Sequence, residues 1–270
     1  MVEHARTTDT AYLTSLPFDV TDLASAVLFM TRHPLADLIA VRPRPDDPTG
    51  MVAIGGAVTP EALLMAVPLG IFPWTGEAPI PWCSPDPRAV FSPRSIRVSR
   101  SLRKSLRNRG YRVTYDHAFD AVVRACATTP RPGQPGTWLT PNLTEAWSVL
   151  HKAGFYHSVE VWSGEHLVGG LVGMALGSGF FGDTMFHRAR DASKVGFVTL
   201  LRELNGSGYT LVDAQASTPH LRSLGAMLLS RPSYSVQLKA ALRARSAPGS
   251  WKEGIPVVVV PDASSGSPED

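Results

Sequence analysis

A chain of 270 residues that is 44% hydrophobic, with a formal net charge of +3, holds material for one large or two modest domains. Its apolar runs fall well short of the ~20 residues a membrane span requires. Cys83 and Cys126, with no CxxC pair, exclude a disulfide framework and a thiolate metal site, and fit buried thiols in a reducing compartment.

The small net charge hides an uneven distribution. Residues 88–131 hold eleven Lys/Arg and two Asp/Glu, a balance of +9 that leaves −6 elsewhere. That concentration is the footprint of a surface meeting a polyanion. Residues 1–20 carry no motif, have no apolar core beside a cleavage site and read as a disordered extension rather than a signal peptide. Residues 22–32 suggest a short helix, and 42–50, rich in Pro and Asp, a loop. Met51 to Gly56 reads as a strand. Thr59 then caps a helix to about Val67, with Pro60 at its first position.

Gly70-Ile71-Phe72-Pro73-Trp74 and Trp82-Cys83-Ser84-Pro85-Asp86-Pro87-Arg88 follow. Prolines 73, 79, 81, 85 and 87 predict a stiff, irregular stretch. Its tryptophans are either packed rings or exposed stacking platforms. Ser99 to Gly110 predicts a Ser-capped helix. Arg97, Arg100, Arg103, Lys104 and Arg107 recur every three or four residues and share one face with no acidic residue. Such a face is either a solvated surface or, given its single sign, a phosphate-binding one.

A strand over Tyr111 to Tyr115, a helix over Ala118 to Ala127 and a Pro/Gly loop at 131–136 come next. Thr140 and Pro141 open a helix whose buried face is Leu143, Ala146, Trp147 and Leu150. Trp138 precedes it, again as core or platform.

His157 to Trp162 and His166 to Met174 read as a hairpin around a short SGE turn. A third strand is predicted from Gly179, ending near Gly182. A helix from Ala192 to Leu204 follows, N-capped by Asp191, and then a strand over Tyr209 to Val212. That last strand delivers Asp213 and Gln215, which two-residue spacing projects side by side. Asp183 stands at the end of another strand. These polar groups at strand ends either serve a substrate or satisfy loop backbone. Ser230 to Leu242 predicts a helix opened by a Ser230 cap, 255–260 a final strand, and 261–270 a disordered acidic tail.

The segments GIFPW, WCSPDPRAVF, GTWLT, HSVEVW, LVGGLVG, FFGDTMF, DASKV, LVDAQ and LRSLGA, in that order over roughly residues 34–242, resemble the leucyl/phenylalanyl-tRNA–protein transferases. The resemblance implies an α/β (α+β) fold. A GNAT-like acyltransferase domain with a mixed sheet would span residues 90–260, preceded by a small N-terminal α/β domain over 21–89. It implies transfer of Leu or Phe, with Met as a further candidate, from Leu-tRNA or Phe-tRNA and the like to proteins with N-terminal Arg or Lys, which creates an N-end-rule degradation signal. No cofactor, metal or membrane is implied; the expected enzyme is cytoplasmic and monomeric.

By the same resemblance Asp213 and Gln215 are catalytic. Asp183, where the family has Glu, meets the acceptor's cation, and Trp74 and Trp138 flank the 3′-terminal adenosine. Leu171, Phe180, Met185, Phe197, Leu200 and Val212 line the aminoacyl pocket, although each reads equally well as ordinary core. The basic helix meets the tRNA acceptor stem. Cys83 stands where the family carries a second tryptophan. Two readings compete. An acyl-CoA-dependent N-acyltransferase needs a Gly-x-Gly phosphate loop, and HRARDASKVG lacks one. A non-catalytic RNA-binding module needs the basic helix and tryptophans alone.

Overall fold

The structure, a computed structural model, describes residues 38–258 except 43, 45–46, 131–136 and 245–247. The helix predicted over 22–32, the N-terminal extension, the 131–136 loop and the acidic tail lie outside the described residues.

Strands β1 (Leu38–Ala40), β2 (Met51–Gly55), β3 (Phe72–Pro73) and β4 (Pro81–Cys83) form an antiparallel sheet in the order β1-β2-β4-β3. Helix α1 (Pro60–Ala66) begins as predicted, with the Thr59 hydroxyl accepting from the Ala62 amide. The proline-rich stretch, expected to be irregular, contributes two of these strands. They are only two and three residues long, and Pro81 opens β4, where a missing amide is tolerated.

The second sheet has seven strands and is mixed. Along the chain come β5 (Arg88–Phe91), α2 (Arg100–Asn108), β6 (Arg112–Tyr115), α3 (Phe119–Thr128) and α4 (Pro141–Lys152). Then follow β7 (Tyr156–Ser163), β8 (His166–Leu176), β9 (Gly179–His187) and α5 (Ala192–Gly206). Last are β10 (Leu211–Asp213), α6 (Pro219–Ser223), β11 (Met227–Leu229) and α7 (Arg231–Leu242). The order is β11-β5-β10-β9-β8-β7-β6, antiparallel except for β9 and β10. That parallel pair needs a crossover, and α5 supplies it.

Alternation along the strands sorts the core into two layers. Val172, Met174 and Phe181 face α3, α4 and the smaller sheet, in one cluster with Val52, Leu63, Trp82 and Trp147. Leu171, Phe180 and Val212 face α5. The division expected between residues 89 and 90 falls inside β5, and the first cluster joins residues on both sides of it.

Several local expectations are corrected. Strand β9 continues to His187, because it stays paired with β8 well beyond Gly182. Asp191 is not a side-chain cap. It sits at φ 61°, and its carboxylate accepts from the Ser105 hydroxyl at 2.8 Å, tying α2 to α5. Ser230 bonds the Ser233 hydroxyl rather than a backbone amide. Residues 255–258 form no strand; the Val258 amide and the Ile255 carbonyl instead bond Ser207. Arg97 precedes α2 rather than extending its face, and its amide donates to the Leu224 carbonyl.

Candidate active site at the fork between β9 and β10

Strands β9 and β10 pair from Gly179↔Leu211 to Phe181↔Asp213 and then part. Both sides of the fork have a local cause. On β9 the register with β8 slips: Gly173 faces Gly182 and Val172 faces Thr184, so Asp183 is the extra residue of a bulge. Gly173 allows this approach, because a Cβ there would lie 2.4 Å from the Phe181 carbonyl oxygen. A bulge re-aims a side chain, here that of Asp183. On β10 the ladder ends at Asp213. Gln215 adopts φ 62°, a strained conformation for a residue with a Cβ. Its amide is held at 2.8 Å by the Asp213 carboxylate.

Asp213 is fully buried. It accepts from Arg88 Nε at 2.9 Å, Arg88 Nη2 at 2.7 Å and the Tyr234 hydroxyl at 2.7 Å, besides the Gln215 amide. Arg88 donates its remaining arm to the Gly70 carbonyl at 3.1 Å and lies between the rings of Phe72 and Tyr234 at 4.9 and 4.8 Å. Burial pulls the guanidinium downward, but the facing Asp213 charge outweighs it and holds Arg88 above its ordinary value. The planar fork suits this bidentate pairing, and four donated bonds occupy the acceptor capacity of Asp213. Asp213 thus ties Arg88, Tyr234 and the Gln215 backbone to one buried carboxylate.

Asp183 completes the constellation. Gln215 Nε2 donates to Oδ1 at 2.7 Å, and the Tyr156 hydroxyl makes a short hydrogen bond to Oδ2. Asp183 keeps partial solvent exposure, yet enough protein surrounds it that burial raises its carboxyl to about 6, against the two hydrogen bonds. Ionised near neutrality, it is an acceptor only, so Gln215 must present its NH2 to it. The amide oxygen of Gln215 then remains as an acceptor. The site thus offers a preset hydrogen-bond acceptor for an incoming N–H, and neither cysteine supplies a nucleophile. Both are buried, and burial pushes the Cys83 thiol up to about 12.

A narrow crevice, with an internal volume of only about 10 Å³, adjoins Asp183 and is walled by Phe72, Trp138, Trp147, Tyr156 and Met174 among others. Trp138 is half-buried, with its edge on Trp147 at 5.9 Å. Trp74 is 39% exposed and tilted against Phe72 at 6.1 Å. The loop carrying Trp74 docks on the start of α4. The Thr75 hydroxyl donates to the Trp138 carbonyl at 3.4 Å, and a Cβ on Gly76 would stand 2.0 Å from the Thr140 hydroxyl. Trp82, by contrast, is fully buried core and donates to the Gly55 carbonyl.

The six residues expected to line an aminoacyl pocket do come together, but beneath α5, on the sheet face opposite this crevice. Leu171, Phe180, Phe197, Leu200 and Val212 are buried there and Met185 is partly buried. Arg100, Arg103, Lys104 and Arg107 are all exposed on one side of α2, whose buried side carries Leu102 and Ser105. Among the described residues no group of His, Cys, Asp and Glu is arranged to hold a metal.

Sequence reasoning missed Arg88, Tyr156 and Tyr234 as site residues. For Arg88 a signal existed: a lone arginine opening the strand Arg-Ala-Val-Phe needs a buried partner, and a carboxylate elsewhere must provide it. Nothing in the local pattern separates Tyr156 or Tyr234 from ordinary core aromatics.

A carboxylate-braced amide at a sheet fork, beside aromatic platforms and with both cysteines buried, suits an acyltransferase directed at an amine. Comparison with known proteins specifies it. The family model for leucyl/phenylalanyl-tRNA protein transferase matches residues 90–239. A leucyl/phenylalanyl-tRNA–protein transferase of Myxococcus xanthus is 48% identical over 213 residues, covering 78% of this chain and 91% of that protein. One of Pseudomonas fluorescens is 50% identical over 190 residues, covering 70% and 84%. Among solved structures, a GCN5-related N-acetyltransferase from Kribbella flavida aligns at 11% identity with a TM-score of 0.37, over 80% of this chain and 94% of that one. The chain belongs to the leucyl/phenylalanyl-tRNA–protein transferase family.

Proposed function

We propose that this enzyme transfers Leu or Phe from aminoacyl-tRNA to the α-amine of proteins beginning with Arg or Lys. The product carries an N-end-rule degradation signal, and the enzyme acts as a cytoplasmic monomer. The observation that carries the reading is the braced amide: Gln215 fixed by Asp213 through its backbone and by Asp183 through its side chain. An aminoacyl ester is already activated, so positioning the amine supplies much of the rate. A peptide α-amine has a pKa of about 7.7–8.0 and is partly unprotonated near neutrality. In this mechanism the Gln215 amide oxygen accepts one amine N–H and aims the nitrogen lone pair at the ester carbonyl. Asp213 acts as orienter. Asp183 braces Gln215 and retains acceptor capacity for the acceptor's cationic side chain.

Trp74 and Trp138 bound the adenosine, each stacked base being worth roughly 1–3 kcal/mol. The cluster of Leu171, Phe180, Met185, Phe197, Leu200 and Val212 shapes donor preference. Arg97, Arg100, Arg103, Lys104 and Arg107 hold acceptor-stem phosphates without reading bases. Asp191 weighs against the acyl-CoA reading. It places a carboxylate at the start of α5, where a pyrophosphate would need free amides.

Transfer of labelled Leu from Leu-tRNA to an Arg-initiated peptide, with acetyl-CoA as parallel donor, tests the proposal. Label from tRNA alone supports it, label from acetyl-CoA overturns the donor, and tRNA binding without label leaves a non-catalytic module.

A further inference from the structure

We propose that Tyr156 is a positioning residue for the transfer: its hydroxyl fixes one oxygen of Asp183 so that the other holds the Gln215 amide in its working orientation. The inference rests on the transfer reading above and extends its machinery by a residue that acts through Asp183. Asp183 is the unpaired residue of a bulge, so the sheet ladder does not fix its side chain. Tyr156 can fix it, because its own ring is immobile. The ring is 1% exposed, stacked on Trp147 at 5.1 Å and 21° and set edge-on to Phe119 at 6.1 Å.

The hydroxyl reaches Asp183 Oδ2 while Gln215 takes Oδ1. Burial, reinforced by the Asp183 charge, keeps the phenol well above its ordinary pKa, so it remains a donor throughout the working range. Trp147 continues edge-on to Trp138 at 5.9 Å. The brace is thus linked through Trp147 to the ring expected to stack the tRNA terminus, which joins donor seating to amine alignment. The charged and titratable groups bearing on the pair are Arg88 of β5, Asp213 of β10 and, toward Tyr156, Cys126 of α3.

Tyr156→Phe keeps the ring and removes the hydroxyl. Losing a hydrogen bond to a charged group lowers kcat at pH 6.5 by about tenfold or more, with KM for Leu-tRNA within about twofold. Without its donor Asp183 titrates higher, so the deficit shrinks as pH is raised to 8.5. In substrate-free enzyme, the Asp183 carboxyl, followed by ¹³C NMR and assigned with Asp183→Asn, should move its midpoint up by about one unit. Unchanged kcat at every pH, or an equal loss at every pH with an unmoved carboxyl midpoint, overturns the proposal and leaves Tyr156 as packing. Because that titration needs no substrate, it decides the brace even if the wild-type enzyme fails to use Leu-tRNA. Such inactivity would overturn the transfer reading separately.

Discussion

Arg88 carries a full charge in a place where 3% of its side chain meets solvent, and Asp213 supplies the opposite charge that makes this tolerable. A buried pair of this kind is defined by what happens when it is broken. Arg88→Met leaves the Asp213 carboxylate buried and uncompensated, and unfolding in urea should show a loss of about 3–5 kcal/mol. Arg88→Met combined with Asp213→Leu removes both charges and should recover much of that stability. It should not recover transfer, because Gln215 loses the carboxylate that holds its strained backbone. Recovered transfer would show that the pair serves the fold alone.

Asp183 gives a residue-scale pH effect of opposite character. Its folded carboxyl lies at about 6, above the ordinary 3.8 of the unfolded chain. The native state therefore holds more protons than the unfolded one between those values, and stability falls as pH rises through that window. The effect is at most about 3 kcal/mol. Burial lowers His157 against its hydrogen bond to Asp116, which gives a slope of the other sign just below 6.5. Only the difference between wild type and Asp183→Asn isolates the Asp183 part. The Asn variant should gain stability relative to wild type as pH rises from 4 to 6, while wild-type transfer should climb over the same range as Asp183 ionises.

At the scale of elements, local chemistry set much of what could be read in advance. Thr59, Ser99 and Thr140 each accept from an amide at the start of their helix, as their sequence positions predict. The helix and strand periods of α4, β7 and β8 were equally plain. What escaped depended on partners distant in the chain. Strands β3 and β4 are fixed by pairing rather than by propensity. The length of β9 comes from β8. The brace on Gln215 comes from a bulge that no spacing rule announces, so the strand-end placement of Asp213 and Gln215 was legible while the bond from the Gln215 side chain to Asp183 was not.

Helix α2 offers the element-scale test. Its four basic side chains are exposed, and its folding rests on Leu102, Ser105 and the Ser99 cap. Arg100→Ala with Arg103→Ala should therefore leave stability within about 0.5 kcal/mol. The same double variant should weaken tRNA binding and flatten the dependence of log affinity on log salt by about 1 per residue removed. An unchanged slope would place the acceptor stem elsewhere.

The whole molecule is closed by a segment far from the fork in sequence. Trp251 lies beyond the last helix, yet it is 2% exposed and stacks on His157 at 3.8 Å and 5°. Its amide donates at 2.7 Å to Asp116, a residue at φ 58° that also accepts from His157 and from the Ser158 amide. Burial works against the Asp116 carboxylate, but those donors outweigh it and hold the group below its usual value. This anchors residues around Trp251 to the β6–β7 edge. The indole also reaches inward, meeting Tyr209 at 6.2 Å and Phe180 at 5.9 Å. Phe180 immediately precedes Phe181, the residue paired with Asp213, and belongs to the cluster proposed to shape donor preference. One ring thus supports both the outer edge of the sheet and the packing beneath the fork. Trp251→Ala should cost about 3–5 kcal/mol by denaturant unfolding. Freed of its neighbour, Phe180 has room to shift, and the ratio of kcat/KM for Leu-tRNA over Phe-tRNA should change by up to about tenfold. Lost stability with an unchanged donor ratio would confine Trp251 to closing the core.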